Sequence, residues 1–109
     1  MIETVMLYAL EALGVPAYME EPETPPASYL VLRKTGSARE NQIREATFAV
    51  MSYGPTLEAA ARLNARVVEL ALGLGPTDGV FAVELNSDYE YTNTATKQYR
   101  YQAVLEVYY

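Results

Sequence analysis

The stretch that decides the fold is the C-terminal segment from residue 80 to residue 109, VFAVELNSDYEYTNTATKQYRYQAVLEVYY. On both sides of a polar turn, the odd-numbered positions carry mainly apolar and aromatic side chains: Phe81, Val83, Leu85, Tyr89 and Tyr91, then Tyr99, Tyr101, Ala103, Leu105, Val107 and Tyr109. Most of the even-numbered positions are polar. A period of two is the pattern of a strand with one buried face. The segment is therefore predicted to be a long, tyrosine-rich β-hairpin.

Parity sets the register predicted for this hairpin. For odd residues to face odd residues, the loop must hold an odd number of residues, such as Asn93-Thr94-Ala95. The predicted cross-strand pairs are Phe81 with Val107, Val83 with Leu105, Tyr89 with Tyr99, and Asp88 with Arg100. A bulge or bend is expected at Asn86-Ser87-Asp88.

The length of this hairpin predicts that it overhangs its own core. An arm of about a dozen residues at ~3.3 Å each is ~40 Å long, whereas a domain of this size has a radius of gyration of about 13 Å. Tyrosine offers apolar area with a polar tip, so projecting strands that carry it are typical of contacts with another chain.

The residues upstream predict two helices. The N-terminal stripe from Ile2 to Leu13 has helical spacing and ends at Gly14. The second helix is predicted from Leu57 to about Leu72, with Thr56 as its N-cap.

Between these helices the chain is predicted to form strands. Residues 17 to 20 form a short edge strand, and the segments from Ser28 to Thr35 and from Gln42 to Tyr53 are strands with apolar side chains on both faces. The polar segment Gly36 to Asn41 is predicted to be an exposed, mobile loop. The sequence thus predicts a single α+β domain over residues 1–109: a mostly antiparallel sheet with two flanking helices, in the order α-β-β-β-α-β-β.

Composition excludes several classes of function. The net charge is −6, with only eight Lys and Arg among 109 residues, so specific binding to nucleic acid or to an anionic membrane surface is not expected. Without cysteine or histidine, the chain lacks thiolate zinc ligands, disulfides and the commonest general base.

The remaining chemistry does not indicate an enzyme. Acidic neighbours such as Glu20 with Glu21, or Asp88 with Glu90, are more typical of a solvated acidic surface than of an acid–base pair. No glycine-rich phosphate-binding loop and no calcium-loop spacing is present. We predict no catalytic, cofactor-binding or metal-ligating residue. A weak anion site could form if five basic residues gather near the sheet, namely Arg33, Lys34, Arg39, Arg44 and Arg100.

The order of several short motifs resembles a known family. The C-terminal runs Asn86-Ser-Asp-Tyr89, Thr96-Lys97 and Tyr99-Arg-Tyr-Gln-Ala103, with Thr92 and Thr94 between them, look like the signature of small tail proteins of Gram-positive phages and prophages. Similar residues occur upstream at corresponding places: Pro16, Tyr18, Pro25-Pro26, Lys34-Thr-Gly36, Asn41, Ile43, Ala46 to Tyr53, Glu58-Ala-Ala60 and Leu63-Asn64. The chain thus resembles the tail terminator, or tail completion, proteins of long-tailed, non-contractile bacteriophages.

This resemblance implies a structural virion protein without enzymatic activity. Members of the family form a ring, usually hexameric, that caps the finished tail tube and presents it to the head connector. The implied partners are further copies of the chain, the major tail tube protein and a head-completion or stopper protein, with DNA passing through the ring without specific binding. The implied location is the head-proximal end of the virion tail, after synthesis and assembly in the host cytoplasm.

A closed head-to-tail ring needs two different complementary patches on each subunit. The residues predicted to supply subunit or partner contacts lie mostly on the hairpin: Arg39, Asn41, Asp88, Tyr89, Tyr91, Thr92, Thr94, Lys97, Tyr99, Arg100 and Tyr101. Two alternatives remain open on sequence alone. The chain could be another head–tail joining component, such as a stopper or minor capsid protein, or a free-standing oligomeric α+β domain that binds a small ligand between its helices and sheet.

Overall fold

The computed structural model describes residues 1–109 and contains two helices and one five-stranded sheet. The elements are α1 (Ile2–Glu11), β1 (Ala17–Tyr18), β2 (Tyr29–Glu40), β3 (Ile43–Tyr53), α2 (Leu57–Leu72), a 3-10 turn (Pro76–Asp78), β4 (Ala82–Glu90) and β5 (Arg100–Tyr108). The strand order is β1-β2-β3-β5-β4. Only β1 and β2 run parallel, and the other neighbours are antiparallel. The predicted α+β class, the element order and the C-terminal hairpin are confirmed.

The main core lies between one face of the sheet and the two helices. On α1 the residues that reach it are spaced four apart, at Ile2, Met6 and Leu10, because every fourth residue of a helix returns to the same face. Its buried members are Ile2, Met6, Leu10, Leu30, Leu32, Ala46, Phe48, Val50, Leu63, Val67, Ala71, Val80, Val83, Leu105 and Val107. We call this side of the sheet the helix face and the other side the open face.

The second helix begins where the sequence predicts. Thr56 has extended backbone angles, and its hydroxyl accepts a hydrogen bond from the backbone N–H of Ala59 at 3.0 Å. This bond satisfies one of the amides left free at a helix start. Gly54 passes so close to the helix that an added Cβ would lie 2.7 Å from the backbone nitrogen of Ala60. Only glycine therefore fits between β3 and α2.

The prediction of an exposed loop from Gly36 to Asn41 is wrong. Residues 36–40 continue strand β2, and they pair with β3 as far as Glu40 opposite Ile43. The turn consists of Asn41 and Gln42 alone, with φ of 50° and 67°, the left-handed angles that a tight hairpin of right-twisted strands requires. Polar composition misled the prediction because both faces of this ribbon are exposed.

The register predicted for the C-terminal hairpin is also wrong. Val83 pairs with Val107 and Leu85 with Leu105. Odd residues still face odd residues, but each of these β4 residues lies opposite a β5 residue two positions further along the chain than predicted. Beyond Asn86 the parity changes, because Asp88 pairs with Ala103 and Tyr89 with Gln102. A bridge between Asn93 and Gln98 closes a turn of four residues, 94 to 97, instead of three.

An extra residue in β4 causes this change of parity. The register shifts between Leu85 and Ser87, within the segment where a bulge or bend was expected. A bulge adds one residue to one strand and so reverses the faces to which the following side chains point. Val83 consequently packs in the main core, whereas Tyr89 lies on the open face, where its hydroxyl accepts a hydrogen bond from Gln102 at 2.6 Å.

The two long hairpins end at opposite ends of the sheet. Glu45 pairs with Tyr108 near the β2–β3 turn, and Tyr53 pairs with Arg100 near the β4–β5 turn. The molecule measures 44 × 24 × 24 Å along its principal axes. The arms of the C-terminal hairpin are nine residues each, and β5 pairs with β3 along its whole length. The predicted overhang of the arms is therefore wrong, and only the tip of the hairpin extends past the sheet.

Candidate interaction surfaces

A stacked pair of tyrosines forms a second, smaller cluster on the open face. The rings of Tyr29 and Tyr53 are parallel within 3° and 4.3 Å apart between centroids. Tyr18 meets Tyr29 edge-on at 6.1 Å, and Val31 and Met51 complete the buried cluster. These side chains explain why β2 and β3 carry apolar residues on both faces.

A single carboxylate links the proline-rich segment to this cluster. Glu21 accepts hydrogen bonds from the hydroxyls of both Tyr29 and Tyr53, the latter at 3.0 Å. The Tyr29 hydroxyl also accepts a bond from Gln98 Nε2 at 3.3 Å, and the Tyr53 hydroxyl accepts one from Arg100 at 3.1 Å. The connection between β1 and β2 is therefore fastened to the hairpin by polar contacts, which sequence patterns did not indicate.

The environment of both phenols disfavours their ionisation. Burial raises the pKa of Tyr29, and its hydrogen bond to the Glu21 carboxylate raises that pKa further. Burial likewise raises the pKa of Tyr53, although its bond with Arg100 acts in the opposite direction. Hydrogen bonding to a carboxylate favours the protonated phenol, which is the donor. The two hydroxyls are thus structural donors, and their environment is unlike that of a nucleophile.

Arg100 joins the buried pair to the exposed part of the hairpin. Its guanidinium lies 4.5 Å from the centroid of the Tyr91 ring and 5.8 Å from that of Tyr53. Its Nε donates to the backbone carbonyl of Tyr91 at 2.6 Å. Tyr91 in turn meets Tyr89 edge-on at 6.1 Å. We call Tyr89, Tyr91 and Arg100 the tyrosine surface.

The tyrosine surface has the composition of a protein contact. Tyr89 is 43% exposed and Tyr91 is 47% exposed. Rigid aromatic rings with a stacked arginine are enriched at the centres of interfaces, and cation–π stacking restricts the arginine before any partner binds. The arrangement can provide contact area at a small cost in side-chain entropy.

The tip of the C-terminal hairpin contains three further predicted contact residues. Thr94 and Lys97 are exposed in the turn, and Lys97 has a left-handed φ of 54°. Thr92 is half-buried, and its hydroxyl accepts a weak bond from the Arg100 backbone N–H at 3.5 Å. Thr94 and Lys97 are therefore free for contacts, whereas Thr92 supports the turn.

A basic ribbon, which we define as Arg33, Lys34, Arg39 and Arg44, extends from the middle of the sheet to the β2–β3 turn. Arg39 pairs directly with Arg44 across the β2–β3 hairpin, and Asn41 lies in its turn. Lys34 forms an ion pair with Glu3 at 3.2 Å. Arg100 lies at the other end of the sheet, so the five basic residues that could have formed one anion site do not gather.

The other predicted contact residues have different surroundings. Asp88 does not face Arg100, as predicted. It accepts a hydrogen bond from Asn64 Nδ2 of α2 at 2.8 Å, because the bulge turns it to the helix face. Tyr99 is half-buried, and its carbonyl accepts a bond from the Gly54 N–H. Tyr101 pairs with Ser52 on the helix face. Tyr99 and Tyr101 therefore contribute little to an exposed surface, whereas Asp88 is bonded to α2 and still exposed.

Carboxylates concentrate on the open face beside the C-terminus. The pKa of Glu45 is raised, first because its carboxyl forms a hydrogen bond with that of Glu106, and then by burial and by the charges of Glu106, Glu84 and Glu40. Glu106 also accepts a bond from the Thr47 hydroxyl at 2.9 Å. The sequence gives no signal of this group, because its members come from four strands.

The space between the helices and the sheet is occupied by the side chains of the main core. Neither α1 nor α2 has the length and apolar composition that a membrane-spanning helix needs. Neither a scan against protein-family models nor a search of curated proteins finds a match to the chain.

Proposed function

We propose that this protein is the subunit of a ring that caps a phage tail tube and joins it to the head connector. The proposal rests on the resemblance of its motifs to tail terminator proteins. Its main structural support is the presence of two chemically different hairpin tips at opposite ends of one sheet. A tail terminator must hold a tube on one side and a connector on the other, and such a pair of tips suits that task.

The two tips differ in the partners that they favour. One end presents the basic Arg39 and Arg44 on a ribbon exposed on both faces. The other presents Thr94 and Lys97 at the end of a hairpin whose flank is the tyrosine surface. Charge on the first favours an acidic partner, and aromatic area beside the second favours a well-packed protein contact. The pockets beside the two tips have volumes of about 200 Å³ each, which is below the ~300–1,000 Å³ of typical small-molecule sites.

The negative charge of the chain suits the passage of DNA. Six subunits with a net charge of −6 each would carry about −36 around a ring, and like charge repels phosphates. DNA would then slide through the channel without being retained. The tip of the basic ribbon, with Arg44, lies on this proposal at a docking face and not on the channel wall.

Removing the gene from a phage that carries it tests the proposal. Electron microscopy should show tails of abnormal and variable length that do not join to filled heads. Supplying the wild-type protein from a plasmid should restore uniform tails and infectious particles. Uniform tails of normal length in the absence of the protein would contradict the terminator function. If such tails accumulate beside filled, unattached heads, the chain is instead another head–tail joining component, such as a stopper.

Variants of the two tips then assign the docking faces. Thr94→Ala with Lys97→Ala changes one tip, and Asn41→Ala with Arg44→Ala changes the other, while all four residues are exposed. Loss of tail-length control by one double variant and loss of head joining by the other is expected. If both double variants fully replace the wild type in phage production, neither tip is a docking site.

A further inference from the structure

The sheet has two unpaired edges, one on each side. Strand β4 is the last strand on one side, and all nine of its residues lack a partner on their outer edge. On the other side, the two-residue β1 covers only Leu30 and Val31 of β2. The remaining residues of β2, 33 to 40, are exposed. Neither stretch contains proline, the residue that most directly prevents a strand from being added to an edge.

The two unpaired edges carry opposite charge. The β4 edge contains Glu84, Asp88 and Glu90 and no basic residue. The edge of β2 from residue 33 to 40 contains Arg33, Lys34 and Arg39 against one acid, Glu40. Charges on an edge strand usually prevent pairing between identical edges. Here each edge repels a copy of itself and attracts the other.

The positions of these charges along the sheet also agree. Reading across the paired strands, Arg33 is level with Ser87 and Lys34 with Leu85. The two cations therefore lie between the levels of Asp88 and Glu84. By strand alternation, Arg33 and Glu84 point to the open face. Lys34 and Asp88 point to the helix face, where each contacts a helix residue.

Strand direction permits the two edges to meet in a ring. β2 is antiparallel to β3, β3 to β5, and β5 to β4, so β2 and β4 run in opposite directions. A rotation about an axis parallel to the strands leaves strand direction unchanged. A neighbour generated by that rotation would bring its β2 beside β4 as an antiparallel pair, and the two hairpin tips would then point to the two faces of the ring.

We propose that a second copy of this chain docks residues 33–38 of its basic β2 edge on residues 82–87 of the acidic β4 edge, the stretches that lie at the same levels of the sheet. Arg39, Asp88 and Glu90 flank the paired stretch, and repetition of this contact closes the ring. This inference deepens the proposed function and rests on it for the ring, but not for the edge contact itself. Because the two surfaces differ, the contact is head-to-tail and yields a cyclic assembly instead of a two-fold dimer. The backbone bonds supply affinity and the charges select the register.

Charge reversal of one edge at a time gives the decisive test. One variant carries Glu84→Lys and Glu90→Lys, so that both of its edges are basic. The other carries Arg33→Glu and Arg39→Glu, so that both of its edges are acidic. None of these four side chains forms a hydrogen bond or ion pair within the chain, so folding should be preserved and is checked by circular dichroism.

The readout is self-association, measured by analytical ultracentrifugation at low salt up to the highest soluble concentration. The wild type should associate, and its association should weaken as salt is raised. For each variant alone, the association constant should fall by about tenfold or more. An equimolar mixture of the two variants should associate again, because each variant then meets an edge of opposite charge. Glu11→Lys with Glu69→Lys, which places the same added charge on the helices, is the matched control and should associate at least as well as the wild type.

Cysteine trapping provides a second measurement that does not depend on charge. The chain has no cysteine, so a protein with Arg33→Cys and another with Ser87→Cys contain one thiol each. Under mild oxidation their mixture should form the mixed disulfide far faster than either protein pairs with itself.

Three results would overturn the edge contact: a wild type that stays monomeric, variants that associate as well as the wild type, or a mixture that recovers nothing and forms no mixed disulfide. The deletion experiment tests the proposed function separately from the edge contact. If deletion of the gene disturbs tail length while both charge variants fully replace the wild type, the terminator function stands and the edge contact fails. If tails are normal without the protein but the mixture associates, the edge contact stands and the function fails.

Discussion

The two faces of the sheet are stabilised by different chemistry. On the helix face, side chains such as Phe48 and Leu105 are fully buried under the two helices. On the open face, Tyr29 and Tyr53 are also buried, but they are covered by the proline-rich connection and held by hydrogen bonds to Glu21. The first face depends on apolar packing, whereas the second depends on a polar network that a single carboxylate completes.

This difference explains how one small domain can serve both stability and contact. The helix face buries most of the apolar side chains in the main core. On the open face, exposed Tyr89 and Tyr91 lie beside the buried tyrosine pair, and the carboxylates around Glu45 lie further along the strands. Surface chemistry can therefore vary on the open face without altering the core.

The largest expected effect belongs to the helix face. Phe48→Ala removes a fully buried ring from the centre of the main core, and such a change typically lowers the free energy of unfolding by about 3–5 kcal/mol. Urea denaturation followed by circular dichroism measures the loss. The control is Ile43→Ala on the same strand, where the side chain is 48% exposed and the cost should stay below about 1 kcal/mol. Equal losses for the two variants would contradict the assignment of the core to the helix face.

A smaller effect is expected from the polar network of the open face. Glu21→Ala leaves the hydroxyls of Tyr29 and Tyr53 without their shared acceptor, and an unsatisfied buried polar group costs about 1–3 kcal/mol. Glu21→Gln retains an acceptor oxygen and should lose less. The same denaturation experiment compares the two, and near-ultraviolet circular dichroism reports the order of the tyrosine rings. If Glu21→Ala unfolds at the same urea concentration as the wild type, the network does not stabilise the fold.

The smallest effect should appear in the carboxylate group and depend on pH. The raised pKa of Glu45 means that the folded state holds this proton more tightly than the unfolded chain does. The free energy of unfolding therefore falls as pH rises from the ordinary glutamate pKa of about 4.3 through the raised pKa of Glu45. Glu45→Gln should have the higher Tm at neutral pH, and its advantage should vanish near pH ~4. A constant difference in Tm across this range, or a lower Tm for the variant at neutral pH, would refute the proposed repulsion.

Local patterns in the sequence were most reliable where one residue's chemistry decides the structure. The hydroxyl of Thr56 caps α2 because extended angles at that position aim it at a free amide, and the stripe of Ile2, Met6 and Leu10 follows from helical geometry alone. The hairpin of β4 and β5 was evident from its period of two. Its register was not, because a period of two continues to look regular when a bulge shifts it by one residue.

The candidate contact residues divide in the same way. Tyr89, Tyr91 and Arg100 were named from composition, and the structure places them together on one surface. Asp88, Tyr99 and Tyr101 were named for the same reason, but they face inward or bond to neighbouring elements. No pattern in the sequence distinguishes these two sets, because the distinction depends on which side of a bulged strand each residue occupies.

The sequence by itself determined the element order, the helix boundaries within a few residues, the acidic charge and the absence of thiol and imidazole chemistry. These properties depend on local geometry or on composition. Only the tertiary structure decided the register of the hairpin, the continuation of β2 through residues 36–40, the attachment of Glu21 to the tyrosine pair and the opposite charge of the two free edges. Each of these depends on residues far apart in the chain, whose meeting is fixed by the packing of the sheet as a whole.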